Sequence, residues 1–183
     1  MNKDYDPNAV FSLEDKVIIV TGGGTGIGKV YSQRLAAGGA KVVLADIANK
    51  EADEVARGIS KAGGIALSVP TDVSSEEAVQ YMVKTVAEEF GGIDGLINNA
   101  SLMSVLPRGN WFEISAERWD SVMSVNLKGI FLCCMAVYPY MQKRGGGRIV
   151  NISSGRIWEG NPRWSAQQRP SVLQLSPRLR RRQ

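Results

Sequence analysis

The chain has 183 residues, 44% of them hydrophobic and 22% charged, with 20 glycines, two cysteines and no histidine. That is the length of one ordinary domain or most of a larger one, and the composition excludes a disordered chain, a collagen-like fibre and a disulfide scaffold. The net charge of +4 is unevenly split: residues 1–161 hold 9 Lys and 7 Arg against 18 acids, a net −2, while residues 162–183 hold 6 Arg and no acid, a net +6.

The β-branched run Lys16–Val20 stops at a glycine cluster and predicts a buried strand. From about Gly26 to Ala37 the apolar residues Ile27, Val30, Tyr31 and Leu35 recur at helical spacing. A second strand, Val42–Ala45, ends at Asp46, and helical spacing resumes through Ala52, Val55 and Ile59. Ile65–Val69 predicts a third strand. Ser74 with Glu77 three residues later has the form of a capping box, so a helix is expected from there to about Phe90. Ile93–Ile97 is a fourth strand candidate, bounded by Gly91-Gly92 and Asn98-Asn99. A long helix is expected over roughly Ala116–Arg144, bent or broken at Pro139, with Cys133 and Cys134 packed in it as small apolar residues. Gly145–Gly147 ends it, and Arg148–Ile152 predicts a fifth strand. Strands apolar on both faces that alternate with helices imply an α/β fold, a doubly wound parallel sheet in the order 3-2-1-4-5 over residues 13–154. No internal repeat and no second domain are visible.

The turn after the first strand carries the chemistry. Thr21-Gly-Gly-Gly-Thr-Gly-Ile-Gly28 joins strand to helix. Its glycines let the backbone approach a ligand closely, and a helix N-terminus offers N–H groups and a positive dipole end to a phosphate. The ATP-type pattern G-x-x-x-x-G-K-[ST] fails at Val30, which has no hydroxyl for Mg²⁺, and G-x-G-x-x-G fits in no frame. What fits is T-G-x-x-x-G-x-G, with glycines at 22, 26 and 28. Asp46 closes the second strand 18 residues after Gly28, where a carboxylate can accept hydrogen bonds from an adenosine ribose; an exposed turn aspartate is the plain alternative. Asp72, then Asn98 and Asn99, then Ser153 and Ser154 end the next three strands, all on the edge where such sheets bind ligands.

With these residues the chain resembles the short-chain dehydrogenase/reductase family of NAD(P)-dependent oxidoreductases. The resemblance runs from about Leu13 to Ser154 and rests on Thr21–Gly28, Asp72-Val73, Asn98-Asn-Ala100, Asn126 in Ser-Val-Asn-Leu-Lys-Gly, and Gly147-Arg-Ile-Val-Asn-Ile-Ser-Ser154. It implies a Rossmann-like sheet in which Thr21, Gly22, Thr25, Gly26, Ile27 and Gly28 bind the cofactor's pyrophosphate. It further implies that Asp72 and Val73 meet the adenine, while Asn99 and Ala100 line the cofactor's inner side. Ser101 departs from the glycine usual after that alanine. The carboxylate of Asp46 favours the free 2′-hydroxyl of NAD and repels the 2′-phosphate of NADP, and position 47 is Ile rather than a compensating arginine, so NAD is the expected cofactor.

The resemblance implies four catalytic side chains. Asn126 can hold a water-linked lysine, and Ser154 can hydrogen-bond the oxygen of an alcohol or carbonyl substrate. A tyrosine that passes the proton is expected at 167, with a pKa-lowering lysine at 171, but the chain has Gln167 and Ser171 there. No tyrosine follows Tyr140 and no lysine follows Lys143; Tyr140 with Arg144 lies at the wrong end of its helix to substitute. The chain as written is therefore expected to be inactive. The family pattern stops between Asn161 and Ser165, and residues 155–183 read as a disordered Arg-rich tail. The favoured origin is a frame change or alternative product that truncates the fold after its fifth strand. The alternatives are a non-catalytic nucleotide-binding fragment and a basic tail, with Arg178, Arg180, Arg181 and Arg182, that binds nucleic acid or anionic lipid.

The longest unbroken apolar stretch, Ile130–Val137, is eight residues against the roughly 20 of a membrane span, and the N-terminus has no signal-like apolar block. A cytoplasmic protein is expected, without a metal site and without a membrane or nucleic-acid partner, and with a homo-oligomeric parent enzyme. Trp111, Phe112, Trp158 and Trp164 suit either an aromatic substrate or loop packing, and Glu76-Glu77 and Glu88-Glu89 suit solvated helix faces. Strand five is expected to be a poorly covered edge, with Ile149, Val150 and Ile152 partly wetted and the product prone to aggregate.

Overall fold

The computed structural model describes residues 12–102 and 113–153. Five strands, β1 (Val17–Thr21), β2 (Lys41–Asp46), β3 (Ile65–Pro70), β4 (Gly95–Asn98) and β5 (Arg148–Asn151), form one parallel sheet in the order β3-β2-β1-β4-β5. Helices α1 (Gly26–Ala37) and α2 (Asn49–Lys61) carry the chain outward to one edge, and α3 (Glu76–Phe90) returns it. Helix α4 (Ala116–Met123), a π-helical turn (Ser124–Lys128) and α5 (Gly129–Lys143) then lead to β5. The doubly wound parallel architecture expected from the hydrophobic pattern is present.

Side chains alternate between two cores because successive residues of a strand face opposite ways. Val17, Ile19, Val43, Leu96 and Ile149 pack under α3 and α5, against Met82, Val83, Val86, Val137 and Met141. Ile18, Val20, Val42 and Leu44 pack under α1 and α2, against Ala36, Ala52, Val55 and Ile59. Strand β5 divides accordingly: Ile149 is buried, while Val150, on the other face, is 48% exposed. The expectation of wetting therefore holds for Val150 and not for Ile149.

Several local expectations are corrected. Helix α1 does not bury Ile27 and Val30, which are 64% and 52% exposed. The sheet-facing stripe is Gly28, Ser32 and Ala36, small residues at i, i+4 and i+8 that let the helix lie close to the strands. The cap of α3 is Ser75, whose hydroxyl accepts from the Ala78 N–H at 3.3 Å. Ser74, the residue expected there, donates instead to Asp72. Strand β4 begins at Gly95 rather than Ile93, although Ile93 is fully buried. Pro139 does not break α5. It and Met135, whose carbonyl it leaves without an N–H donor, both lie on the exposed side, where water can serve. The irregularity falls at the π turn instead. Residues 116–143 as one helical stretch are long and apolar enough, by length and composition, to cross a membrane, with an 18-residue window of mean hydropathy 1.5. Cys133, Ala136, Val137 and Met141 of that stretch are buried against the sheet, as a core helix of a layered fold requires.

The edge away from the strands' carboxyl ends is tied together by Asp94. Its backbone N–H donates to Val17 O, its carbonyl accepts from the Arg148 N–H, and its Oδ2 accepts from the Val17 N–H at 3.0 Å and Arg144 Nη2 at 2.7 Å. Partial burial pushes the Asp94 carboxyl up, but the hydrogen bonds from Arg144 and Val17 and the Arg144 charge outweigh it and hold it below its ordinary value. Asp94→Ala should cost about 1–2 kcal/mol at neutral pH, read as a fall in the urea midpoint. A carboxyl titrating lower in the folded than in the unfolded chain stabilises above about pH 4 and loses that contribution as the pH falls through its folded value. The midpoints of wild type and variant should therefore converge as the pH falls through that folded value.

Candidate functional site

Thr21 ends β1 with its hydroxyl fully engaged. It donates to Ile97 O at 3.3 Å and accepts from the N–H groups of Asn99 and Ala100, each at 3.0 Å. One donor and two acceptor positions are all that a hydroxyl has, so the side chain, only 1% exposed, bonds wholly within the protein. Asn99 completes the link by donating from Nδ2 to Thr21 O at 3.0 Å and to Gly22 O at 3.2 Å. The start of the glycine turn is thereby fixed to the end of β4. Gly22 has φ +65, and a Cβ there would stand 3.0 Å from Ala100 Cα. A Cβ on Gly28 would collide with Gly22 O and with Asn99 Nδ2. Ser32, one turn along α1, shares its one hydroxyl proton between Gly28 O at 3.0 Å and Gly23 O at 3.2 Å, closing the turn from beneath.

Gly26 presents the opposite situation: at φ +51 its Cα faces open space, with nothing within 4 Å of a Cβ position. Thr25, Gly26 and Ile27 are exposed. No side chain caps α1 and its first turn carries no acid, whereas α3 and α4 are capped by Ser75 and Ser115. An uncapped helix N-terminus behind an open glycine suits an anion. Beside it stands Asp46, 6% exposed, with Oδ2 accepting from the Gly24 N–H at 2.8 Å and Oδ1 from the Ala48 N–H at 2.9 Å. These residues fit a ligand that carries both a pyrophosphate and a hydroxyl-bearing sugar.

Further along the same edge, Asp72 Oδ1 accepts from the Ser74 N–H at 2.9 Å and its hydroxyl at 2.7 Å. Val73 is buried against the start of α5, where a Cβ on Gly129 would come within 2.8 Å of it. Asn98 and Asn151 are direct partners in the β4–β5 register, and Asn98 Nδ2 donates to Asn151 Oδ1 at 2.8 Å and to Cys134 Sγ at 3.5 Å. Burial raises the thiols of Cys133, to about 12, and of Cys134, so both remain protonated packing groups at neutral pH. Asn126 lies within the π turn and its Oδ1 accepts from the Leu102 N–H at 2.7 Å, joining the helix to the chain that leaves β4. A π turn disrupts the regular hydrogen-bond ladder, a feature that recurs at functional sites.

Thr21, Gly22, Thr25, Gly26, Ile27, Gly28, Asp46, Asp72, Val73, Asn99, Ala100 and Asn126 thus lie together along the carboxyl edge. Ser154, Gln167, Ser171, the tail arginines, Trp111, Phe112, Trp158 and Trp164 lie outside the described residues. Arg144 is paired with Asp94 at the opposite edge, which places Tyr140 and Arg144 far from this constellation. Ser32 was not anticipated from the sequence. The i, i+4, i+8 repeat of small residues Gly28, Ser32 and Ala36 was the signal that could have shown it.

Residues 16–166 match the family model for short chain dehydrogenase. The chain is 42% identical over 150 residues to an uncharacterized oxidoreductase of Thermotoga maritima, a match that covers 82% of this chain and 57% of the relative. It is 45% identical over 146 residues to an uncharacterized oxidoreductase of Mycobacterium tuberculosis, covering 80% and 59%. Among solved structures it is similar to 3-ketoacyl-(acyl-carrier-protein) reductase from Brucella melitensis complexed with NADH, with a TM-score of 0.82, 32% identity, and coverage of 88% of this chain and 66% of that one. The chain spans under three fifths of the length of these two curated relatives.

Thr21→Val keeps the β-branched shape but leaves the Asn99 and Ala100 N–H groups without an acceptor. A loss of about 2–3 kcal/mol is expected in denaturant unfolding, and Thr21→Ser should restore most of it.

Proposed function

The chain belongs to the short-chain dehydrogenase family of oxidoreductases, and we propose that its carboxyl edge binds NAD in preference to NADP. The observation that carries this reading is the uncapped N-terminus of α1 behind Gly26, next to the carboxylate of Asp46. In it, N–H groups at the start of α1 receive the pyrophosphate, and Asp46 receives the adenosine ribose. Asp72 and Val73 border the adenine, while Asn99 and Ala100 border the inner side of the cofactor. A 2′-phosphate would meet the Asp46 carboxylate with Ile47, 76% exposed, where a cation would be needed. The NADH bound to the Brucella reductase supports a nicotinamide cofactor without deciding between the two forms.

The nicotinamide supplies or accepts a hydride, so the matching substrate class is an alcohol or carbonyl compound. Asn126 holds the chain after β4 through the Leu102 N–H, and Ser154 is the residue we assign to the substrate oxygen. Gln167 and Ser171 stand where a proton-passing tyrosine and its lysine are required, and neither exchanges a proton near neutral pH. The 183-residue chain is therefore read as a dinucleotide-binding member of the family without turnover. Pairing with a second copy is assigned to Phe131, Met135 and Tyr138, spaced along one side of α5 and 60%, 59% and 42% exposed.

Titration calorimetry should show NADH binding, with NADPH weaker by about tenfold or more, ~1.4 kcal/mol. Alcohol oxidation should stay at background. Turnover well above it, abolished by Ser154→Ala, would overturn the inactive reading. A salt-dependent shift of labelled DNA with no NADH binding would favour the Arg-rich tail as the functional part.

A further inference from the structure

We infer that Asp46 is a positioning residue that latches the glycine turn in its ligand-ready shape, in addition to any contact it makes with a ribose. The inference rests on reading the carboxyl edge as a dinucleotide site. The Asp46 carboxylate lies in the protein with both oxygens turned to backbone donors, Oδ2 to Gly24 and Oδ1 to Ala48. Those two donors belong to different segments. Gly24 is the middle of the turn between β1 and α1, and Ala48 is the residue before α2. Gly24 is also pressed against α2, since a Cβ on it would stand 2.8 Å from Ala52 N and Cα. Ala52 in turn bonds back to Ala48 O at 3.0 Å, and the Asp46 carbonyl accepts from the Thr71 N–H at 2.9 Å. One aspartate therefore joins β1's turn, the α2 corner and the chain leaving β3.

The latch works on the pyrophosphate through the backbone. Gly24 precedes Thr25 and Gly26, the exposed residues that lead into the uncapped turn of α1. Fixing the Gly24 N–H in the protein sets the path of the next two residues, and so the direction of the N–H groups offered to an anion. Each carboxylate oxygen still has a further acceptor position, which leaves a ribose contact compatible with the latch. Asparagine would not substitute. It has one acceptor oxygen, and its amide group would confront the second backbone N–H with another donor.

Three forms of the full chain test this: wild type, Asp46→Asn and Asp46→Ala. Amide hydrogen exchange without ligand should accelerate at Gly24 and Ala48 by about tenfold or more in Asp46→Ala, and at one of the two in Asp46→Asn, with the β1 and β4 core amides unchanged. Binding is then compared for NADH and for its analogue lacking the adenosine 2′-hydroxyl. The latch requires Asp46→Ala to weaken both, the analogue by about tenfold. An analogue bound equally by wild type and Asp46→Ala, or unchanged exchange at Gly24, would overturn it and leave Asp46 a ribose acceptor alone. Accelerated exchange in a chain that binds neither dinucleotide even as wild type would uphold the latch and remove the dinucleotide reading instead. Asp46→Asn, close in shape to the native residue, keeps the test open if Asp46→Ala fails to fold.

Discussion

The hydroxyl of Thr21 is the point on which the carboxyl edge of the sheet is built. β1 and β4 are neighbours in the sheet but lie more than 70 residues apart in the chain, and at their ends the regular ladder gives way to turns. A buried oxygen that donates to Ile97 O and accepts from two successive N–H groups carries the pairing one step past the ladder. Asn99 can then reach back to Thr21 O and Gly22 O, so the glycine turn inherits its position from the end of β4. Buried backbone donors left without acceptors are costly, which is why a threonine, with one donor and two acceptor positions, suits this place better than any apolar residue of its shape.

The remaining polar contacts extend the same scheme outward across the strand ends. Asp46 ties the turn to the next corner on one side, and the Asn98–Asn151 pair ties β4 to β5 on the other. In each case a polar side chain removed from water finds partners in backbone groups or in neighbouring side chains, as such groups must. The outcome is a rigid row of fixed groups beneath a surface that is open at Gly26 and at the exposed residues Thr25 and Ile27. The opposite edge is held separately, by Asp94 and Arg144, so the two rims of the sheet depend on different residues.

Small residues decide how closely these layers meet. The glycine at 28 permits the turn to pass over the start of α1, and the serine at 32 fills the space beneath it while bonding two carbonyls. On α5 the glycine at 129 makes room for Val73. The π turn just before it sets Asn126 against the chain leaving β4. Large side chains on these helices, such as Val30 and Phe131, stay mostly in the open, at 52% and 60% exposure.

The amino-acid sequence alone determined the parallel α/β architecture, because runs apolar on both faces that alternate with helical periods admit few other arrangements. It also located the carboxyl edge and the residues Thr21–Gly28, Asp46, Asp72 and Asn98–Ala100 along it, since glycines and polar residues interrupt the apolar strands there. What it did not determine were the choices made by long-range contacts. Ile27 and Val30 have the spacing of a buried face, yet the sheet takes Gly28, Ser32 and Ala36, because only small side chains allow the close approach that the turn demands. Ser74 and Ser75 are equally good caps by composition, and the nearby Asp72 carboxylate takes the first and leaves the second. Nor does spacing show that Asp46 faces Gly24 and Ala48, or that the helix irregularity falls at Asn126 rather than Pro139. A hydrogen bond between residues distant in sequence leaves no period to read; it exists only once the sheet has brought the strand ends together.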